Sequence, residues 1–320
     1  MDMSDLKRKQ VTAFAPATVA NVGCGFDVLG FAIHGLGDRV TATRSDNIGL
    51  RIVSIKGDDG RLPRDPEKNT AGLSALSLLK HLGLDDKIGI DLAIEKNMPL
   101  GSGLGSSAAS SVAAVVAING LLGNPLSKKE LLPFSVEGEI AASGTAHADN
   151  VAAALFGGFI LVKEHQPPDV ISLKTPDKLH CTIIHPAIEI QTSSSRKILK
   201  KEVLLEKAVK QWGNVGSMIV GLYTDDYDLI GKSIHDEIIE PVRSVLIPGF
   251  AEMKSAAMKA GALGCSISGS GPSLFALSTS HETATEVGVQ MGLALDKIDL
   301  KYDMHVSRLN TRGAYCEEPE

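Results

Sequence analysis

The stretch PLGSGLGSSAASSVAAVVAI, residues 99–118, places a glycine-rich turn in front of a run of small, mostly apolar residues. The segment before it, IGIDLAI at 88–94, has aliphatic residues at alternate positions and Asp91 on the opposite side, which is typical of a half-buried strand. From Ser106 onward apolar residues occupy nearly every side, as in a helix that protein covers all round. This stretch therefore predicts a strand, a glycine loop and a buried helix.

The glycine turn is a candidate anion site. A helix start offers unpaired N–H groups and a partial positive charge, and Gly101, Gly103 and Gly105 let a phosphate approach the backbone closely. A Walker loop requires Gly-Lys-Ser/Thr and a Rossmann fingerprint requires a final glycine, where this chain has Ser106. A tight turn before a core helix explains the glycines equally well. The hydroxyls of Ser106 and Ser107, which can cap a helix or hold Mg²⁺, favour a triphosphate.

Composition limits the classes of protein. A chain of 320 residues predicts two domains. With 43 % hydrophobic residues, 22 % charged residues and a formal charge of −6, it predicts a soluble protein with small-molecule partners and indicates neither nucleic acid nor membrane binding. Residues 1–14 mix both signs of charge, unlike a secretory signal, so we expect a cytoplasmic protein. Four widely spaced cysteines indicate no zinc site and no disulfide framework.

The rest of the chain mixes helices and strands, which predicts an α+β or mixed α/β fold. A capping box at Ser127 and Glu130 precedes a helix, and a short helix over 149–155 leads through two glycines into a strand. The polar segment 163–178 is the expected domain junction. Beyond it we expect a strand over 179–186, helices over 194–212 and 226–240, a helix over 251–264, a loop over 265–272 and a strand over 273–278.

The motif PLGSGLGSSAA resembles the ATP loop of the galactokinase, homoserine kinase, mevalonate kinase and phosphomevalonate kinase superfamily. Five other segments resemble its homoserine kinase branch: APATVANVGCGFDVLGFAI (15–33), EGEIAASGTAHADNVAAALFGG (137–158), TSSSRKIL (192–199), EPVRSVLIPG (240–249) and GALGCSISGSGP (261–272). The resemblance implies an N-terminal domain like domain 2 of ribosomal protein S5 over 1–170 and a ferredoxin-like domain over 171–320, with ATP between them. It also implies Mg²⁺, a homodimer, and phosphorylation of the side-chain hydroxyl of L-homoserine to O-phospho-L-homoserine, a step of threonine biosynthesis.

The resemblance also assigns residues. The ATP loop comprises Pro99, Leu100, Gly101, Ser102, Gly103, Leu104, Gly105, Ser106, Ser107, Ala108 and Ala109. Glu139 would bind Mg²⁺ together with a hydroxyl of Ser106 or Ser107. Two residues apart on a helix, Glu137 and Glu139 point about 200° apart, so only one can face the loop, and the family pattern selects Glu139.

The amino-acid end of the substrate would bind to Asn21, Asp27, His147, Thr192, Arg196 and Arg243. An unpaired Asp27 beside a glycine bend suits an ammonium group, although a turn aspartate bonded to its own backbone is the alternative. We expect Arg196 in the first turn of a helix, where a cation opposes the helix dipole and a bound carboxylate would relieve it. Arg243 would add a second contact to that carboxylate.

Catalysis would fall to Asn150, Glu139 and His147. Asn150 would orient the attacking hydroxyl, and because an amide accepts no proton, we expect direct in-line attack without a strong base. Asp149 is expected to be structural. The loop at 261–272 would close over the site, and Cys24 would be sensitive to thiol reagents. The alternatives are another kinase of the superfamily acting on a small alcohol such as mevalonate, and a nucleotide-binding relative without catalysis.

Overall fold

A computed structural model describes residues 8–143 and 148–318; of residues 142 and 143 it describes the backbone only. The described elements follow in this order: β1 (Gln10–Ala20), β2 (Leu29–Ser45), β3 (Gly49–Lys56), α1 (Thr70–His81), β4 (Gly89–Glu95), α2 (Ser106–Leu121), α3 (Lys128–Ser143), α4 (Ala148–Phe156), β5 (Phe159–His165), β6 (Pro168–Ser172), β7 (His180–Pro186), α5 (Thr192–Lys197), α6 (Leu205–Thr224), α7 (Tyr227–Ser233), α8 (Glu240–Arg243), α9 (Phe250–Lys259), β8 (Gly264–Ile267), β9 (Leu274–Ser278), α10 (His281–Asp296), β10 (Tyr302–Arg308) and β11 (Tyr315–Cys316). This mixture confirms the α+β class.

The first sheet has the order β11-β1-β2-β4-β3, with β5 paired to β2 and β6 to β5. The long strand β2 makes this branching possible, because residues 39–45 pair with β4 while residues 29–31 pair with β5. Strands β3 and β4 are parallel, and α1 provides the crossover that a parallel pair requires. The remaining pairs of this sheet are antiparallel.

Helix α2 forms the centre of the first core, as its sequence predicts. All of its residues except Ser107 are buried, and it packs on β1, β2, α1, α3 and α4. Its alanines allow this close packing on several sides. The strand before it also matches the prediction, because Ile88, Ile90 and Ile94 are buried while Asp91 is partly exposed.

The second sheet has the antiparallel order β10-β7-β9-β8, and α9 and α10 pack against it. Elements β7, α9, β8, β9, α10 and β10 follow the β-α-β-β-α-β sequence of a ferredoxin-like unit, with α5 to α8 inserted after β7. The ferredoxin-like expectation is therefore confirmed.

The border between the two units differs from the expected junction at 163–178. Residues 163–172 complete β5 and form β6, whose polar side chains lie on an exposed hairpin of the first sheet. The expected boundary between the domains, after residue 170, falls inside β6, whereas the first strand of the second sheet begins at His180. The chain later returns, because Tyr315 and Cys316 pair with Phe14 and Ala13 of β1.

Several expectations for the second half are wrong in detail. The helix expected over 194–212 is divided into α5 and α6, although no glycine or proline marks the break at 198–204. The helix expected over 226–240 ends at Ser233, because Asp236 accepts the backbone N–H groups of Ile238, Ile239 and Glu240 and competes with the helix. Pro241 lies in the first turn of α8 instead of ending a helix. The loop expected over 265–272 begins with β8.

In the described ranges, no helix is both long and apolar enough to cross a membrane.

Candidate active site

A cavity of about 270 Å³ lies between the two units and brings together most of the predicted site residues. The first unit lines it with residues of the glycine loop, and the second unit lines it with Thr192, Arg196, Arg243, Gly269 and Ser270. Three members of the predicted ATP loop, Pro99, Leu104 and Ala109, do not line this cavity. Leu104 and Ala109 are buried in the first core instead.

The glycine loop needs glycine for conformation and for space. Gly103 and Gly105 have φ values of 78° and 69°, in the left-handed region. A Cβ on Gly105 would lie 2.1 Å from Thr18 Oγ1 and 2.7 Å from Asn150 Oδ1. Gly105 is also the N-cap of α2 and no side chain caps the helix there, so of the two roles open to Ser106 and Ser107 the capping role is not used. The first N–H groups of α2 therefore remain for an anion.

A buried lysine, which the sequence analysis missed, supports the loop from β4. Lys96 Nζ contacts the carboxylate of Asp38 and donates to Ser106 O (2.8 Å) and Ser110 Oγ (2.7 Å). The hydroxyls of Ser106 and Ser110 in turn donate to Asp38 Oδ2 at 3.1 and 2.9 Å. The network pairs both buried charges and fixes the start of α2. Its only signal in the sequence is a lysine just before the uncharged residues 97–127.

The loop at 261–272 contacts the glycine loop, in line with the closure over the site that the resemblance implies. Ser268 Oγ donates to Gly103 O (2.8 Å), and the Ser273 N–H donates to Ser102 O (3.2 Å). The Gly269 N–H donates to Ala20 O at 3.2 Å. These bonds connect the second unit directly to the glycine loop at the border of the cavity.

The far end of the cavity carries two guanidinium groups and one carboxylate. The sequence suggested an unpaired Asp27, but this carboxylate is paired. Arg196 Nη2 donates to its two oxygens at 2.9 and 3.0 Å. Arg196 lies in the last turn of the six-residue helix α5, where a cation interacts favourably with the helix dipole. The expectation that Arg196 lies in the first turn of a helix is therefore also wrong. Asn21 connects the region, since its Oδ1 accepts the Asp27 N–H (3.0 Å) and its Nδ2 donates to Gly269 O (2.8 Å).

Arg243 is buried at this end, only 3 % exposed. Its Nη1 donates to Gly269 O (3.0 Å), and its Nε has no hydrogen-bond partner in the described part of the chain. Burial lowers the pKa of this guanidinium to about 10, with Asp27 opposing the shift and Arg196 adding to it, so the group stays protonated at neutral pH. Thr192 lies nearby, with its hydroxyl 3.3 Å from Ser270 Oγ.

Phe26 is a second residue that the sequence analysis did not single out. Its ring centroid lies 5.5 Å from the guanidinium carbon of Arg196 and 5.1 Å from that of Arg243. Both contacts are within cation–π range. The ring therefore supports two like-charged groups beside each other.

Between these ends lie Asn150 and Glu139. Asn150, on α4, accepts a hydrogen bond from Thr18 Oγ1 at 2.7 Å. Glu139 is buried and lines the cavity, whereas Glu137 is exposed and contacts the Ser77 hydroxyl outside it. Glu139, and not Glu137, therefore faces the cavity, an orientation that residue spacing alone left open.

Three further residues complete the comparison with the sequence. His147 lies outside the described residues. Asp149 is buried in the first turn of α4 and accepts the Asn150 N–H at 3.0 Å. Cys24 is 1 % exposed, and burial, followed by the charge of Asp236, raises the pKa of its thiol to about 12. Burial and the raised pKa of the thiol both oppose the sensitivity of Cys24 to thiol reagents that its place in the sequence suggested.

Family models match both units of the chain. Residues 69–158 match the model described as GHMP kinases N terminal domain, and residues 218–296 match GHMP kinases C terminal. The chain matches both models, and its two sheets have a cleft with a glycine loop between them. These findings define a kinase that uses ATP as co-substrate. The chain belongs to the GHMP kinases.

Relatives and solved structures cover nearly the whole chain. It is 50 % identical to a homoserine kinase of Chlorobium phaeobacteroides (strain BS1), over 96 % of this chain and 99 % of that protein. It is also 50 % identical to a homoserine kinase of Chlorobaculum tepidum, over 96 % and 98 %. A crystal structure of homoserine kinase from Cytophaga hutchinsonii has a TM-score of 0.94 and 56 % identity, covering 97 % of this chain and 98 % of that one. L. major mevalonate kinase shares the fold, with a TM-score of 0.72 at 16 % identity over 97 % and 99 % of the two chains.

Proposed function

We propose that this protein transfers the γ-phosphoryl group of ATP to the side-chain hydroxyl of L-homoserine, giving O-phospho-L-homoserine in threonine biosynthesis. One observation carries the proposal: a single cavity has a glycine-rich helix start at one end and Arg196, Arg243 and Asp27 at the other. This arrangement suits a polyphosphate opposite a small zwitterion. The relatives at about half identity are named homoserine kinases. We place the reaction in the cytoplasm.

The charged end recognises the amino acid by exchanging partners. Arg196 forms an ion pair with Asp27. A carboxylate from the substrate would pair with the guanidinium groups of Arg196 and Arg243, and Asp27 would then accept the ammonium group. The second guanidinium is already dehydrated by the protein, so little further desolvation opposes binding. Mevalonate has the carboxylate without the ammonium and would leave Asp27 unmatched.

The residues present fit Mg²⁺ as part of the nucleotide complex. No group of three or more His, Cys, Asp or Glu side chains that could hold a metal occurs in the described ranges. The buried carboxylate of Glu139, with a serine hydroxyl of the loop and phosphate oxygens as further ligands, matches the oxygen-rich coordination of Mg²⁺. Glu139 and either Ser106 or Ser107 would hold the ion, which would neutralise charge on the phosphates.

Asn150 positions the attacking hydroxyl. Because Thr18 donates to its Oδ1, that oxygen is fixed, and the amide NH₂ can donate to the oxygen of the substrate hydroxyl. An amide accepts no proton, so the hydroxyl attacks phosphorus in line and its proton leaves late, to phosphate or water. The N–H groups at the start of α2 hold the phosphates during transfer. His147 is kept as a further substrate contact.

An assay of ADP release with a panel of small alcohols tests the function. L-Homoserine should be the best substrate of a panel that includes serine, 3-aminopropan-1-ol and mevalonate. Asp27→Asn should lower kcat/KM for homoserine about 100-fold, which corresponds to about 2.7 kcal/mol. Asn150→Ala should lower kcat while leaving homoserine binding largely intact. ADP release that does not depend on homoserine, or near-normal turnover by Asn150→Ala, contradicts the proposal.

A homodimer also belongs to this proposal.

A further inference from the structure

The connection between β1 and β2 has an uncommon backbone conformation. We call residues 21–28 the substrate bend, because Asn21 and Asp27 lie on it and line the cavity. Asn21, Val22 and Asp27 have φ values of 71°, 45° and 60°, in the left-handed region. Val22 is the exception among the described non-glycine residues with such a φ, since the others are asparagines and aspartates. A β-branched residue resists this conformation, so contacts outside the bend must hold it.

Hydrogen bonds inside the bend fix Asp27 relative to Asn21. Asn21 O accepts the Gly25 N–H at 2.8 Å, and Asn21 Oδ1 accepts the Asp27 N–H at 3.0 Å. Gly25 O in turn accepts the Leu29 N–H at 2.9 Å. Any change in the backbone between Asn21 and Gly25 therefore moves the carboxylate of Asp27.

The middle of the bend lies against the second unit. A Cβ on Gly23 would lie 1.8 Å from the carbonyl oxygen of Ile234, the C-cap residue of α7, so the two backbones are in direct contact. Gln211 Nε2, on α6, donates to Cys24 O at 2.7 Å. Helices α6 and α7 belong to the segment inserted after β7, which also supplies the two guanidinium groups of the cavity. The insertion thus both lines the site and supports the bend.

The side-chain amide of Gln211 is held in one orientation. It is buried, its Nε2 also donates to Asp236 Oδ1 at 3.0 Å, and its Oε1 accepts the Glu237 N–H at 2.9 Å. Asp236 is buried as well and is fixed by three backbone N–H groups. An exchange of the amide oxygen and nitrogen would place oxygen against two acceptors, the Cys24 carbonyl and the Asp236 carboxylate. The network therefore directs one N–H of Gln211 at the bend.

We propose that Gln211 is a positioning residue for substrate recognition. Its hydrogen bond to Cys24 O holds the substrate bend in the conformation that presents Asp27 to the ammonium group of the substrate. This role rests on the proposed function, which assigns Asp27 to that ammonium group. Gln211 does not line the cavity, so it acts through the bend and not by contact with the substrate.

A purely structural glutamine would have a different effect. The bonds of Gln211 to Asp236 and Glu237 attach α6 to its own unit, which stabilises the fold whatever the substrate. The bond to Cys24 O instead crosses to the first unit, over 187 residues of chain, and reaches the segment that carries Asp27. Loss of this bond should affect recognition through Asp27 in particular.

Gln211→Met removes the hydrogen bonds and keeps the length and helix propensity of the side chain. Misplacement of a binding group by about 1 Å can cost up to about 100-fold, and we expect the KM for L-homoserine to rise about 10- to 30-fold. We expect kcat to stay within about twofold, because Asn150 and the glycine loop do not depend on Gln211. Gln211→Asn, whose amide is one methylene too short to reach Cys24 O, is a milder second variant with the same expected result. A normal KM in both folded variants overturns the proposal.

The double variant Gln211→Met/Asp27→Asn tests whether Gln211 acts through Asp27. Coupled residues give losses that do not add in free energy, so kcat/KM of the double variant should equal that of Asp27→Asn within about threefold. Two losses that multiply show an independent, structural effect of Gln211 and overturn the proposal.

Hydrogen exchange measures the bend without any substrate. The backbone N–H groups of residues 25 and 27–29 are hydrogen-bonded within it. They should exchange at least about tenfold faster in Gln211→Met. Unchanged exchange there overturns the proposal. Faster exchange, in a protein whose wild type shows no homoserine-dependent ADP release, supports the role of Gln211 in the bend and contradicts the proposed function alone.

Asn214→Leu is the matched control. Asn214 lies one turn further along α6, and its Nδ2 donates to His235 O at 2.9 Å, so it also attaches α6 to the segment after α7. That bond does not reach the bend, and we expect the homoserine KM and the exchange of residues 25–29 to be unchanged. A rise in KM equal to that of Gln211→Met would show that KM responds to any loosening of α6, which overturns the proposal.

Discussion

Arg243 shows how burial prepares a charged residue for a ligand. The guanidinium is 3 % exposed and donates to one carbonyl, that of Gly269, while its Nε has no hydrogen-bond partner among the described residues. A buried guanidinium lowers the free energy of unfolding unless an anion accepts hydrogen bonds from its remaining N–H groups. Phe26, beside Arg243 and Arg196, offsets part of the repulsion between them through its π-face.

Phe26→Leu should weaken recognition of the substrate carboxylate. Leucine keeps apolar volume but loses both cation–π contacts, and a loss of one to two kcal/mol raises the homoserine KM about 5- to 30-fold. We expect kcat to change little, and Phe26→Tyr to restore the KM. Steady-state kinetics with homoserine and with 3-aminopropan-1-ol, which lacks the carboxylate, provide the measurement. An equal effect on both substrates would show that Phe26 does not act through the substrate carboxylate.

At the charged end of the cavity, the sequence predicted which residues meet but did not predict the contacts between them. Asp27, Arg196 and Arg243 come together as expected. The ion pair between Asp27 and Arg196 was missed, because 169 residues separate them and no local pattern reports such a contact. Phe26 and Lys96 were missed for a related reason. An aromatic ring or a lysine at a strand end is common, and only the fold shows what it touches.

At the scale of elements, the strand, glycine loop and helix α2 were predicted closely. Periodicity and glycine spacing are local signals, and burial of this helix on all sides follows from its composition. The division between α5 and α6 was not predicted, because no breaker residue marks it. The end of α7 depends on Asp236 bonding to three backbone N–H groups, a competition that propensity does not capture.

Gly105→Ala should disrupt the helix start that holds the phosphates. The new Cβ would lie 2.1 Å from Thr18 Oγ1, so the hydrogen bond from Thr18 to Asn150 must break. With the left-handed backbone, we expect a loss of about 1 to 3 kcal/mol in the free energy of unfolding and a fall in kcat/KM of about 100-fold or more. Urea unfolding and steady-state kinetics measure the two effects.

Gly123→Ala is the matched control for this change. Gly123 also has a left-handed φ, 84°, but a Cβ there meets no heavy atom within 4 Å. It should show a stability loss of about 1 kcal/mol with kcat/KM unchanged. Normal kinetics in Gly105→Ala would remove the loop from the mechanism.

At the scale of the whole molecule, the two units meet through backbone at the site itself. Three hydrogen bonds connect the second unit to the first. They join Ser268 to Gly103, Gly269 to Ala20, and Ser273 to Ser102. The nucleotide loop is therefore part of the contact between the units. Neither unit presents the complete cavity alone, so chain length, which predicted two domains, could not by itself show that the site lies between them.

A nonhydrolysable ATP analogue should stabilise both units together. At 100 times its Kd it should add about 2.7 kcal/mol to the free energy of unfolding. Hydrogen exchange should slow at the start of α2 and also in residues 268–273, because the two loops are hydrogen-bonded. Protection confined to residues 99–121 would show that the loops respond independently.

The pairing of β11 with β1 has a consequence for synthesis. Protein domains usually complete folding from the N-terminus as they emerge from the ribosome. Here the first sheet keeps an open edge at Ala13 and Phe14 until Tyr315 and Cys316 have been translated. The nascent chain must therefore carry an unfinished N-terminal sheet past the tunnel exit while nearly the entire second unit is still being made.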